Sequence, residues 1–110
     1  MKAVVLKSNK KLSFINKPLS GLKNNYYRVK IQNVGLCSSD IQRSYGNGAY
    51  FYPLIMGHEI SGEISEIGSN ISNYSVGDRI TVFPLLPCFN CEPCEREMYA
   101  QCYDYSYFGS

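Results

Sequence analysis

Four cysteines within fifteen residues, Cys88-x2-Cys91-x2-Cys94-x7-Cys102, constrain this chain more than any other feature. Two intervening residues let a turn aim both flanking sulfurs at one centre, so the four thiolates can surround a single tetrahedral ion. Zinc suits this donor set, and a zinc with every position filled by protein holds structure and does no chemistry. The stretch from Pro87 to Tyr103 has few aliphatic side chains to bury. Structural zinc, which contributes about 10–16 kcal/mol in small peptides, would order it instead. Two other readings compete. Ferredoxins also begin C-x2-C-x2-C, but their fourth cysteine follows after three residues and precedes proline. Here seven residues intervene and Tyr103 follows. A secreted disulfide framework calls for an even count, whereas the chain has five cysteines and a start, Met1 to Ser8, unlike a signal peptide.

With 110 residues, 45% of them hydrophobic, the chain suits one domain with one modest core. Eleven Lys and Arg against nine Asp and Glu leave only +2, and the lysines of the first thirty positions are scattered. Nucleic acid is therefore not an expected partner. No apolar run approaches the roughly 18 residues of a membrane span, so no membrane is expected and a cytoplasmic location is.

The pattern reads as mainly β with short helices. Lys2–Ser8 and Lys11–Asn16 are β-prone runs split by Asn9-Lys10, a hairpin. Tyr26–Val34 alternates with the period of a half-buried strand. Ser38 can cap a helix through about Tyr45, ended by Gly46-Asn47-Gly48. Gly57–Ile67 reads as a long strand with His58 at its start, and Ile80–Phe83 as a further strand after the turn at Val76-Gly77-Asp78-Arg79. Many short strands with glycine turns suggest a barrel or sandwich. Tyr103, Tyr105 and Tyr107 alternate as one half-buried strand face would and receive no function.

Outside the cluster stand one cysteine, Cys37, and one histidine, His58. Each has an ordinary reading, a small buried hydrophobe and a hydrogen-bonded strand histidine. Their neighbours point elsewhere. Gly57-His58-Glu59-x-x-Gly62, with Gly68 and Ile71 beyond, resembles the signature of zinc-containing alcohol dehydrogenases of the medium-chain dehydrogenase/reductase superfamily. Gly35-Leu36-Cys37-Ser38-Ser39-Asp40 is similar to that family's catalytic-cysteine segment, and the four-cysteine spacing to its structural-zinc lobe. With Val76-Gly77-Asp78-Arg79-Ile80 the resemblance runs over essentially the whole chain. The wording Asn47-Gly48-Ala49-Tyr50 through Tyr52-Pro53, and Pro84 to Phe89, most resembles galactitol-1-phosphate dehydrogenases and related polyol dehydrogenases.

This resemblance implies a GroES-like β-barrel over residues 1–110 with a zinc-stabilised lobe at residues 84–104. It implies a catalytic zinc on Cys37 and His58, with Glu59 a further ligand, direct or through water, and a structural zinc on Cys88, Cys91, Cys94 and Cys102. Ser39 matches the hydroxyl that relays a proton away, and Asp40 a carboxylate that steers the His58 imidazole. For Ser39 and Asp40 the plain alternatives are a helix-start serine and a first-turn carboxylate. The implied substrate is a small-molecule alcohol, a polyol or polyol phosphate whose secondary hydroxyl becomes a ketone. An open position on the zinc lets the alcohol lose its proton near neutral pH, and the alkoxide then yields hydride to NAD or NADP. The implied parent is a homo-oligomer, dimer or tetramer.

No G-x-G-x-x-G turn is present, since Gly46 and Gly48 are followed by Phe51 at the third place. The nucleotide-binding Rossmann domain and a remaining zinc ligand are therefore expected outside these residues, and the 110-residue chain alone is expected to be inactive. No Arg or Lys cluster accompanies His58, so no residue for a substrate phosphate emerges. A zinc-stabilised binding or assembly module without catalysis is the alternative reading.

Overall fold

Asn9-Lys10 turns the chain back on itself, with Lys10 at a φ of 62°, and pairs β1 (Lys2–Ser8) with β2 (Lys11–Asn16) in antiparallel register from Lys2 opposite Asn16. The structure, a computed structural model, describes residues 1–109. The short β4 (Leu54–Ile55) adds to the other edge of β1, giving the order β2-β1-β4. A second sheet, β3-β5-β6, comprises β3 (Tyr27–Gly35), β5 (Glu59–Ile67) and β6 (Arg79–Thr81). In the cysteine lobe, β7 (Leu85–Leu86) pairs with β8 (Ser106–Tyr107) around the four-residue helix α2 (Glu92–Glu95). Helix α1 (Ser38–Tyr45) follows β3 directly. No helix of the described residues is long and apolar enough to cross a membrane.

The strands lie close to where the alternation predicts them, but the expected barrel does not close. The edges of the two larger sheets are two- and three-residue strands or solvent-facing ones, too short to continue a ladder around a barrel. An apolar cleft of about 320 Å³ lies between them, lined by Val4, Leu12, Val34 and Met56.

Burial is correspondingly thin. Val5, Leu6, Leu54 and Ile64 are the buried aliphatic side chains, joined by Cys94 and Cys102. Ile31, expected on a half-buried face of β3, lies exposed. Two irregularities in the β3–β5 ladder, at Arg28/Val29 and Ile31/Asn33, shift the register so that Gly35 ends opposite Glu59. The ladder also requires a glycine in its middle: a Cβ on Gly62 would stand 2.4 Å from the Lys30 carbonyl oxygen. A Gly62→Ala variant is expected to lose about 1–3 kcal/mol through this overpacking, read as a lowered urea midpoint at unchanged slope.

Candidate metal centres

Residue by residue, the second sheet assembles the first cluster. β3 runs out at Gly35 and delivers Cys37 two residues later; β5 begins at Glu59, with His58 immediately before it. Because Gly35 pairs with Glu59, the last residues of one strand and the first of the other meet at one end of the sheet. Gly35 has no side chain to obstruct them, since a Cβ there would lie 2.2 Å from Glu59 Oε2. Gly57, at a φ of 113°, makes the bend that presents His58. Ligand atoms of Cys37, His58 and Glu59 consequently lie within 4.8 Å of one another.

Helix α1 fixes this cluster from behind. Its N-cap is Cys37, one residue before the serine the sequence favours for that place. The reason is Asp40: its Oδ2 accepts the Cys37 backbone N–H at 3.0 Å, the carboxylate half of a capping box. Its Oδ1 stands 3.5 Å from Nδ1 of His58, and both side chains are buried, Asp40 with 2% and His58 with 6% of its surface exposed. Ser39, through its hydroxyl and then its backbone N–H, together with His58, lowers the Cys37 pKa to about 7. Ser39 and Asp40 thus both act on the cluster, the first on the thiol and the second on the imidazole.

The second cluster lies in the lobe. Sγ atoms of Cys88, Cys91, Cys94 and Cys102 all fall within 4.8 Å of one another, and no disulfide joins any of the five cysteines. Zinc–sulfur bonds of about 2.3 Å place tetrahedral ligands about 3.8 Å apart. The separation of Cys91 and Cys102 is 3.9 Å, which suits a single ion better than the wider frame of an iron–sulfur cluster. Protonation is uneven among the four. A hydrogen bond from the Tyr103 backbone lowers Cys91 to about 6, whereas burial, then the neighbouring Cys91 and Cys102 sulfurs, pushes Cys94 up to about 12. Four thiolates so close repel one another, and a dication supplies the charge that lets all of them ionise.

Two residues to which the sequence alone assigns no role line a cleft beside the first cluster. The ring of Tyr107, on β8, meets the ring of His58 edge-on at 5.8 Å between centroids. Tyr103 and Tyr105 are mostly exposed, so the three tyrosines do not form the half-buried face expected of them. Arg43, one turn beyond Asp40 on α1, borders a cleft that Tyr107 also lines. Neither the helical position of Arg43 nor the alternation of the tyrosines reveals this cleft, because it forms only where α1 and β8 meet in the tertiary fold.

A mostly β domain carrying a four-thiolate lobe beside a separate cysteine–histidine–glutamate cluster defines a zinc-type alcohol dehydrogenase domain. The chain belongs to this class: its residues 23–110 match the alcohol dehydrogenase GroES-like domain family. It is 47% identical over 83 residues to galactitol 1-phosphate 5-dehydrogenase of Escherichia coli K12, covering 76% of this chain and 24% of that one. The crystal structure of galactitol-1-phosphate dehydrogenase from Escherichia coli superposes with a TM-score of 0.94 at 40% identity, covering all of this chain and 32% of that one. Sorbitol dehydrogenase of Bacillus subtilis 168 is 32% identical over 114 residues, again the whole of this chain and 32% of the relative. An alcohol dehydrogenase (rspB) from Escherichia coli CFT073, solved with the cofactor NADH, has a TM-score of 0.90 at 29% identity and covers 99% of this chain and 32% of that one. The chain thus spans a third or less of the length of these relatives.

The uneven protonation gives a direct expectation. In metal-stripped protein, alkylation of Cys37 by iodoacetamide should rise with a midpoint near pH 7, while buried Cys94 stays unreactive through pH 9. Because the folded Cys37 pKa lies below its unfolded value of 9.0, its thiolate favours the fold above that value, and this contribution is lost as pH falls through about 7. Ser39→Ala should move the Cys37 midpoint upward, as site-resolved mass spectrometry would show.

Proposed function

We propose that this chain is the metal-binding catalytic domain of a zinc-dependent dehydrogenase that oxidises a secondary hydroxyl of a polyol or polyol phosphate to a ketone, with NAD or NADP taking the hydride. The observation that carries this reading is the convergence of Cys37, His58 and Glu59, backed by a buried carboxylate facing the imidazole. The polyol class rests on the likeness to galactitol 1-phosphate 5-dehydrogenase and sorbitol dehydrogenase, and the nicotinamide cofactor on the NADH-bound neighbour.

In this reading Cys37 and His58 hold the zinc, and the exposed Glu59 approaches it directly or through water. A zinc with an open position acts as a Lewis acid on an alcohol oxygen. The protein's own groups do the remaining work. Asp40 faces His58 Nδ1, which fixes the ring's tautomer and assigns Nε2 to the metal. Ser39, hydrogen-bonded to Cys37, is placed to take the hydroxyl proton and pass it toward solvent. Cys88, Cys91, Cys94 and Cys102 hold a second zinc that orders the lobe of residues 84–104. Residues 1–110 act as one domain in this scheme, and the dinucleotide is held by residues outside it.

Elemental analysis tests the assignment. Wild-type protein should carry two zinc ions per chain, and a Cys37→Ala/His58→Ala variant one; a single zinc in both would overturn the catalytic site. Cobalt placed at Cys37 and His58 should show a visible spectrum that changes on addition of galactitol 1-phosphate, and an unchanged spectrum would count against the substrate class. Asp40→Asn should weaken metal at this site about 10–100-fold without touching the four-cysteine zinc, which competitive chelation would resolve.

A further inference from the structure

Beside the Cys37–His58 cluster lies an open cleft of about 710 Å³ whose walls include Tyr50, Phe51, Phe83, Tyr105 and Tyr107. Tyr107 is the shared wall, since its ring also touches that of His58. Into this aromatic surface α1 brings one charged side chain, Arg43, and no carboxylate lines the cleft. Arg43 forms no ion pair among the described residues, whereas Arg28 pairs with Glu66 and Arg96 with Glu92. Its Nε is buried without a hydrogen-bond partner, and its guanidinium lies 6.0 Å from the centre of the Tyr50 ring.

A cation in the last turn of a helix is ordinarily explained by the helix dipole. That accounts for the charge but not for a half-buried guanidinium with an unpartnered donor at the edge of an aromatic cleft. An unpaired guanidinium in such surroundings is matched by an anion with several acceptor oxygens, which its planar fork can grip through two parallel bonds. Spacing adds to the argument. Arg43 follows Cys37 by six residues, about 9 Å along the helix axis at a rise of about 1.5 Å per residue. That is close to the reach of an extended sugar alcohol from an inner carbon to a terminal phosphate.

We propose that Arg43 is the specificity residue of this cleft, holding the phosphate of a polyol phosphate while the carbon chain lies along Tyr50 and Tyr107 and one inner hydroxyl reaches Cys37 and His58. This rests on the dehydrogenase reading above and names its substrate class: a phosphomonoester in preference to the free polyol. A phosphate fixed at one end also determines which hydroxyl is presented to the metal.

The test is calorimetric titration of zinc-loaded protein with galactitol 1-phosphate and with galactitol, in wild type, Arg43→Gln and Arg43→Lys, with zinc content measured throughout. Wild type should bind the phosphate ester at least about tenfold more tightly, the effect expected of a hydrogen-bonded charge pair. Arg43→Gln should lose that preference at unchanged zinc content, and Arg43→Lys should retain part of it as a point charge without the fork. An equal preference in Arg43→Gln, or none in wild type, or binding of neither ligand, overturns the proposal. These outcomes are separate from failure of the dehydrogenase reading, which is read from the zinc lost on replacing Cys37 and His58.

Discussion

A single buried carboxylate connects the parts of this molecule that matter chemically. Asp40 uses one oxygen to accept the amide of Cys37 and turns the other toward His58, so one side chain sets both the start of α1 and the orientation of the imidazole before β5. Twenty residues, which include α1 itself and the short β4, separate Cys37 from His58, and the pairing of the flanking strands begins only at Gly35 and Glu59. Without Asp40 the arrangement would lose a side chain that faces both the Cys37 amide and the His58 imidazole. Burying a carboxyl this deeply is costly, and its two oxygens stand 3.0 Å from the Cys37 amide nitrogen and 3.5 Å from His58 Nδ1, groups that the site also requires.

The second constraint is scarcity of core. Four aliphatic side chains are buried, while Phe14, Leu36, Tyr50 and Phe83 each leave more than two-thirds of their surface open. Hydrophobic burial on this scale fixes the two larger sheets but hardly extends into the lobe, where the buried residues are Pro93, Cys94 and Cys102. The short helix and short strands there would not persist by propensity alone, and in the proposed reading metal held by the four cysteines takes the place of packing.

The longer strands, helix α1 and the four-cysteine cluster were legible in the sequence because they depend on local signals, whereas the grouping of Cys37, His58 and Glu59 came from the family resemblance. Asn9-Lys10 announces its turn, β5 alternates, and the four-cysteine spacing is a geometric statement in itself. What escaped was long-range. Barrel closure depends on edges that must find each other across the fold, and two-residue strands such as β4 carry no readable period. The helix cap fell on Cys37 instead of Ser38 because the Asp40 carboxylate, three residues on, accepts the Cys37 backbone N–H and closes the capping box there. The places of Arg43 and Tyr107 were not legible, because the cleft that joins helix α1 to the distant strand β8 exists only in the folded chain.

The return of the lobe to the body has its own consequence. After β8, Phe108 donates to the Pro84 carbonyl and Gly57 donates to that of Gly109, and a Cβ on Gly109 would strike the Gly57 carbonyl. The segment leaving the four-sulfur site is thus sewn to the residue that positions His58, with Tyr107 carried between them. In the proposed scheme the lobe's metal takes no part in the reaction, yet an ordered lobe would act as the jig for the neighbouring cluster, aligning His58 and the Tyr107 wall beside it.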